Sequence, residues 1–225
     1  MRLGKVGNSD LRLHISWLPV SLLLIGWLGV YYLPGQMPGL TTAVIWIMAL
    51  ITVLLFFLSM GLHELSHIFM ARRHQVALQR VELSPIGGQR TYRQPVKTAV
   101  AQWQIALAGP VVNLALALFW ALITWLANPA GMTSAPTLVL VWLNVAIGLL
   151  NLIPAHPLDG FDILLGLLRQ FEKNVNLAPR TVTFIGEMTG ASMLGAGFVA
   201  LLVEEIILSI SLGFIGWLLQ TTNDR

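Results

Sequence analysis

The stretch Ala99–Ala127 contains no Asp, Glu, Lys or Arg, and neither does Thr41–Leu62. A chain needs about 20 consecutive apolar residues to cross a bilayer as a helix. Such runs constrain the fold more than any other feature, because hydrocarbon leaves backbone amides no partner outside a helix or a closed barrel. Four more candidate spans follow the same logic: Ile15–Leu33, Ala135–Leu158, Thr181–Val203 and the shorter Ile206–Gln220. Ile15–Leu33 lacks a small-x-small cleavage site before Pro34-Gly35, so it reads as a retained helix and not as a signal peptide. Composition agrees, with 56% of residues hydrophobic and 10% charged against about 25% charged in a soluble domain. The expected fold is an all-α polytopic membrane protein of about six transmembrane helices.

Charge placement orients the spans. Arg2, Lys5 and Arg12 precede the first, and Arg72, Arg73, Arg80, Arg90, Arg93 and Lys97 lie between the second and third. Arg169, Lys173 and Arg180 follow the fourth, whereas the loops Pro34–Leu40 and Asn128–Ser134 carry no charge. Positive residues favour the cytoplasmic side, so both termini are expected there. The basic loop contains a single aromatic, Tyr92, which argues against nucleic-acid binding. No Ser/Gly linker, repeat or low-complexity tract divides the chain, which reads as one membrane-embedded domain over residues 1–225.

His63-Glu64-Leu65-Ser66-His67 closes the second span. Residues four apart share a helix face, so both imidazoles can bind one ion. Glu64, rotated about 100° from His63, can take a proton from the water that the metal activates. This is the H-E-x-x-H pattern of zinc metalloproteases. An ionisable Glu64 in an apolar setting is itself a functional signal. The chain has no cysteine, which excludes disulfides and Cys-ligated metal. The third ligand is therefore His, Asp or Glu. His156, Asp159, Asp162, Glu187, Glu204 and Glu205 are candidates, with Asp159 the best. It ends Asn151-Leu152-Ile153-Pro154-Ala155-His156-Pro157-Leu158-Asp159-Gly160, where two prolines break the helix and Gly160 allows close backbone approach. Broken backbone at membrane depth belongs where it is buried in protein or faces water.

Further residues offer supporting roles. The Asn151 amide can donate to a substrate carbonyl or a developing oxyanion. Asp162 reads either as a partner of a zinc histidine or as a helix-start residue. His156 reads as a pocket residue more readily than as a ligand, and Glu187 as part of a water path. Val81–Tyr92 is expected to form a strand, a Gly-Gly turn and a second strand, a small β element after the second helix. Its edge can pair with an unwound substrate, with Pro85, Gly87 and Gly88 against the substrate backbone.

These motifs resemble the site-2 protease family of intramembrane metalloproteases. His63 to His67 matches its HExxH. Asn151 to Gly160 matches its N-x-x-P-x-x-P-x-D-G, with Asp159 in the ligand position. Leu83-Ser84-Pro85-Ile86-Gly87-Gly88 resembles its Gly-Gly segment, and Ala108-Gly109-Pro110-Val111-Val112-Asn113 its A-G-P-x-x-N. The matches keep the family's order over about 40–170, its catalytic core, leaving further helices at 181–220. The chain departs from the pattern at Phe161, where many members have a second Gly, and at His156, usually an apolar position. No PDZ insertion is visible, so the resemblance is to a minimal member. It implies one Zn2+ per chain held by His63, His67 and Asp159, with Glu64 and Asn151 catalytic. It also implies cleavage within transmembrane segments of membrane-tethered regulators, in a membrane that is prokaryotic for so compact a chain. The resulting expectation is a zinc metalloendopeptidase with its site toward the cytoplasm and membrane proteins as substrates. Two rivals are a membrane zinc transporter or channel and a catalytically silent binding module. The charge-free spans argue against the first, and an intact Glu64 against the second.

Overall fold

The computed structural model describes residues 2–6, 9–83, 89–127, 134–171 and 177–223. By internal contacts the chain divides into two compact units, 1–94 with 108–149 and 95–107 with 150–225. Each is described in turn.

In the first unit, α1 (Trp17–Trp27) runs through one π-turn (Leu28–Tyr32) into α2 (Leu33–Gln36). After a short turn comes α3 (Thr42–Arg73). At 1.5 Å per residue its 32 residues span about 48 Å, well beyond the roughly 30 Å hydrocarbon thickness. The sequence ended this span at Leu62, but the helix continues through the His/Glu motif to the basic pair Arg72-Arg73, cations favoured at a helix C-terminus. It stops without a glycine. Gln75 takes φ 57°, and the backbone N–H of Val76 donates to Ala71 O at 2.8 Å.

The unit also holds a sheet. Strands β1 (Arg2–Val6), β2 (Ser9–Leu13), β3 (Leu78–Leu83) and β4 (Gln89–Tyr92) lie in the order β1-β2-β3-β4. The expected strand pair is β3–β4, antiparallel, with Val81 opposite Arg90, while the expected Gly-Gly turn lies outside the described residues. The first two strands were not anticipated. β2 pairs parallel to β3, with Asp10 opposite Arg80 and Leu13 opposite Leu83, a long-range pairing that local patterning does not reveal.

α4 (Ala99–Leu126) contributes its residues from Ala108 onward to this unit, and α5 (Ser134–Leu150) contributes all but Leu150. Leu28, Leu33, Ile45, Ala49, Val53, Ala135 and Val139 form one buried cluster, and Trp17, Phe56, Met60 and Leu140 another. Facing outward are Leu23, Leu118 and Trp125, each more than 70% exposed, while Thr52, Ser59, Asn113 and Asn144 are buried. Apolar side chains outside and polar ones inside suit a hydrocarbon solvent, not water.

The second unit carries the start of α4, then α6 (Asp159–Phe171), α7 (Leu177–Leu202) and α8 (Ile206–Asn223). Thr98 Oγ1 accepts the Ala101 N–H at the start of α4. Leu165 on α6 packs with Ala178 and Val182 of α7. The pair α7–α8 is joined by a three-residue turn, with exposed Glu204 at φ 64°. Its helices approach at glycines, since a Cβ on Gly197 would lie 2.9 Å from Gly213 N. Small residues that let backbones close up are typical of packing in membranes.

Among the described residues, four helical stretches are long and apolar enough to cross a membrane: Trp17–Gln36, Thr42–Arg73, Ala99–Leu126 and Leu177–Leu202. Ser134–Leu150 and Leu208–Thr221 are apolar but shorter. The expected span Ala135–Leu158 ends at Leu150 as a helix, and 151–158 form turns. The protein is thus mainly helical and integral to the membrane, with a small sheet.

Candidate active site

The motif lies on the inward face of α3. Thr52, Phe56, Ser59, Met60, His63 and His67 repeat at helical spacing and are all buried. The hydroxyls of Thr52 and Ser59 donate to the carbonyls of Met48 and Leu55, so neither needs a partner elsewhere. His63, Glu64 and His67 are at most 1% exposed. The two Nε2 atoms face each other at 3.2 Å, their rings crossing at 76°. Tetrahedral zinc with Zn–N bonds of 2.0–2.1 Å separates two nitrogens by about 3.3–3.4 Å. Glu64 Oε1 is 4.0 Å from His63 Nε2, beside the pair and not within it.

α4 forms the wall behind the imidazoles. A Cβ on Gly109 would lie 2.6 Å from His63 Nε2 and closer still to His67 Nε2. Glycine is therefore needed there for reasons of space. Pro110 follows inside the helix and removes the amide that would bond Ala106 O. One turn on, Asn113 Oδ1 is 2.8 Å from His63 Nδ1. From α5, Asn144 Nδ2 donates to Leu140 O at 2.8 Å and, at 3.4 Å, to Ser59 Oγ, one turn before His63.

In the second unit, the segment from Asn151 to Gly160 is a compact turn. The Gly160 N–H donates to Asn151 O at 2.6 Å. A Cβ on Gly160 would collide with the carbonyl oxygens of Ile153 and Leu152. The turn includes a cis peptide between His156 and Pro157. It delivers Asp159, 3% exposed, to the first turn of α6, and buries Asn151 at 4%. Asp162 Oδ1 accepts from Gln102 Nε2 at 2.9 Å, and Gln102 Oε1 accepts from Arg169 Nη1 at 2.7 Å. His156 and Phe161, the two departures from the family pattern, stack edge-to-face with centroids 5.6 Å apart.

His63 and His67 in the first unit and Asp159 in the second, all buried, are residues that could hold a metal ion. Two neutral imidazoles and a carboxylate are a zinc donor set of the kind that leaves a fourth position open. The Nε2 spacing and the space left by Gly109 fit the same ion. Among the described residues this group includes neither His156, Asp162 nor Glu187. Pro85, Gly87 and Gly88, expected to touch substrate, lie outside the described residues. Gln102 and Asn144 were not singled out from the sequence. Their signal was an amide within an otherwise apolar run, which does not by itself say what it pairs with.

A buried H-E-x-x-H helix in a chain of membrane-length apolar helices defines the class of membrane-embedded metallopeptidases. The family model described as Peptidase family M50 matches residues 51–132 and 126–196, and the chain belongs to that family. A protein of Mycobacterium tuberculosis named as a zinc metalloprotease, Rip3, is 30% identical over 220 residues, 96% of this chain and 55% of that protein. A zinc metalloprotease of Methanocaldococcus jannaschii is 28% identical over 219 residues, 95% of this chain and 58% of that protein. The chain thus spans little more than half the length of these relatives. Among solved structures, a site-2 protease from Methanocaldococcus jannaschii superposes with a TM-score of 0.62 at 26% identity, over 98% of this chain and 94% of that one.

Proposed function

We propose that this protein is a zinc-dependent intramembrane endopeptidase that cuts transmembrane segments of membrane-tethered regulatory proteins. The observation that carries the reading is Glu64, buried beside two imidazoles whose Nε2 atoms stand 3.2 Å apart on a membrane-length apolar helix. His63, His67 and Asp159 hold one zinc per chain. Bound zinc supplies Lewis acidity and makes water a nucleophile near neutral pH. Glu64 takes the proton from the attacking water and, as the C–N bond breaks, passes it to the leaving amine. Asn151 donates to the carbonyl oxygen as negative charge develops there.

A substrate peptide bond inside a helix is shielded, and unwinding it exposes backbone that needs new partners. β4 closes one side of the sheet and offers such partners by strand addition, with Pro85, Gly87 and Gly88 nearby in sequence. The alternation of basic and uncharged loops supports six spans, both termini in the cytoplasm and the site toward that side. In α3 only Ile68–Ala71 separates His67 from Arg72, which supports the same side. The chain then acts as one protease domain over 1–225, with its core at about 40–170 and further helices at 181–220. The named relatives come from a bacterium and an archaeon, which supports a prokaryotic cell membrane.

The test is Glu64→Gln in a reconstituted cleavage assay with metal analysis. Zinc is retained, and cleavage falls by at least about 100-fold, the range for losing a general base. Cleavage that survives in Glu64→Gln would sink the reading.

A further inference from the structure

Asn113 is 0% exposed and lies on α4 in a run without charges. Its Oδ1 is 2.8 Å from His63 Nδ1, and its Nδ2 is buried with no partner among the described residues. α5 backs it closely: a Cβ on Gly148 would lie 3.4 Å from Asn113 Cβ and 3.1 Å from a Leu114 methyl carbon. α5 thus packs directly on the stem of this side chain, which is fully buried.

A neutral imidazole carries a single N–H. For Nε2 to bind a metal, that hydrogen must be on Nδ1, and an acceptor fixed beside Nδ1 selects this tautomer and sets the ring plane. The buried, unpaired Nδ2 bears on the point. A buried donor without a partner is costly, and a leucine of nearly the same shape would join α4 to α3 without that cost. Packing alone does not account for an amide here; the need for an acceptor at His63 does.

We propose that Asn113 is a positioning residue for the metal centre, whose Oδ1 accepts from His63 Nδ1–H and holds Nε2 ready as a ligand beside His67 Nε2. This deepens the zinc reading above and rests on it. The same contact joins α3 and α4 through the ligand itself, so metal affinity and the placement of the two helices are coupled.

The experiment is zinc competition against a chelator series on the purified full chain in nanodiscs, for the parent, Asn113→Leu and Asn113→Asp. The Leu variant should lose about 10- to 100-fold in zinc affinity, the usual range for removing a partner of a metal-bound histidine. The Asp variant should bind at least as tightly as the parent, since a carboxylate accepts the same hydrogen bond. The metal-free Leu and Asp forms should melt close to the metal-free parent, which separates ligand positioning from folding. If the Leu variant does not fold, Asn113→Ala serves as the truncation against which Asp is compared. A Leu or Ala variant that holds zinc as tightly as the parent overturns the proposal. So does an Asp variant as weak as a truncation that melts normally. A parent chain that retains no zinc overturns the zinc reading itself, a result distinguishable from either of these.

Discussion

Gly109 shows how one missing atom decides what a helix can hold. Any Cβ there would sit between the two Nε2 atoms, where a metal belongs. Gly109→Ala is therefore expected to weaken zinc retention and to lower the melting temperature of the metal-free protein, since the added Cβ meets both imidazoles before any ion binds. The clash with the packed rings costs about 1–3 kcal/mol, shared between the metal-free fold and the bound state. Zinc content after dialysis, set beside the melting of the metal-free protein, checks this. The motif histidines were legible in the sequence because four-residue spacing on a helix is a local rule. Their neighbours were less so. Asn113 was visible within Ala108–Asn113, yet nothing local said that it would meet His63, fifty positions earlier. Gln102, bridging Asp162 and Arg169, was not seen at all. Side-chain partners across elements depend on packing, and an amide in an apolar run reveals only that it needs one.

At the scale of elements, boundaries were where local reasoning fell short. Apolar runs located the helices, but α3 carries on past its last apolar stretch because the histidines and Glu64 are buried and no residue before Gln75 breaks the helix. Its end is strained. Gln75 holds φ 57° in the left-handed region that favours glycine. Gln75→Gly should stabilise the protein by about 1 kcal/mol, seen as a raised melting temperature with zinc stoichiometry unchanged. The opposite error occurred at α5, where Pro154 and Pro157 forecast a break but the helix already stops at Leu150. There the chain gives up helical hydrogen bonding to make the turn closed by Gly160 N–H on Asn151 O. The sheet was half foreseen. β3 and β4 announce themselves by alternation around a turn, whereas β1 and β2 gain their pairing only from β3.

For the whole molecule, topology makes the sharpest prediction, and the absence of native cysteine makes it easy to test. A single cysteine replacing exposed Pro38, between the first and second spans, should react with an impermeant maleimide only from outside the cell. One replacing exposed Gln94 should react only after the membrane is opened. Equal labelling of both in intact cells would refute the proposed orientation. Local sequence places the chain in a bilayer, sets His63 and His67 on one helix face with Glu64 adjacent, and leaves Asp159 as the best candidate for a further ligand. Each follows from local chemistry: the cost of charge in hydrocarbon, the period of a helix, the effect of proline and glycine on backbone. Packing brings α4 onto the imidazoles at Gly109, sets Asn113 against His63 Nδ1, and adds the N-terminal strands to β3 and β4 in a four-stranded sheet. These contacts join residues far apart in the chain, so they are set by how helices and strands pack together and not by any short stretch of sequence.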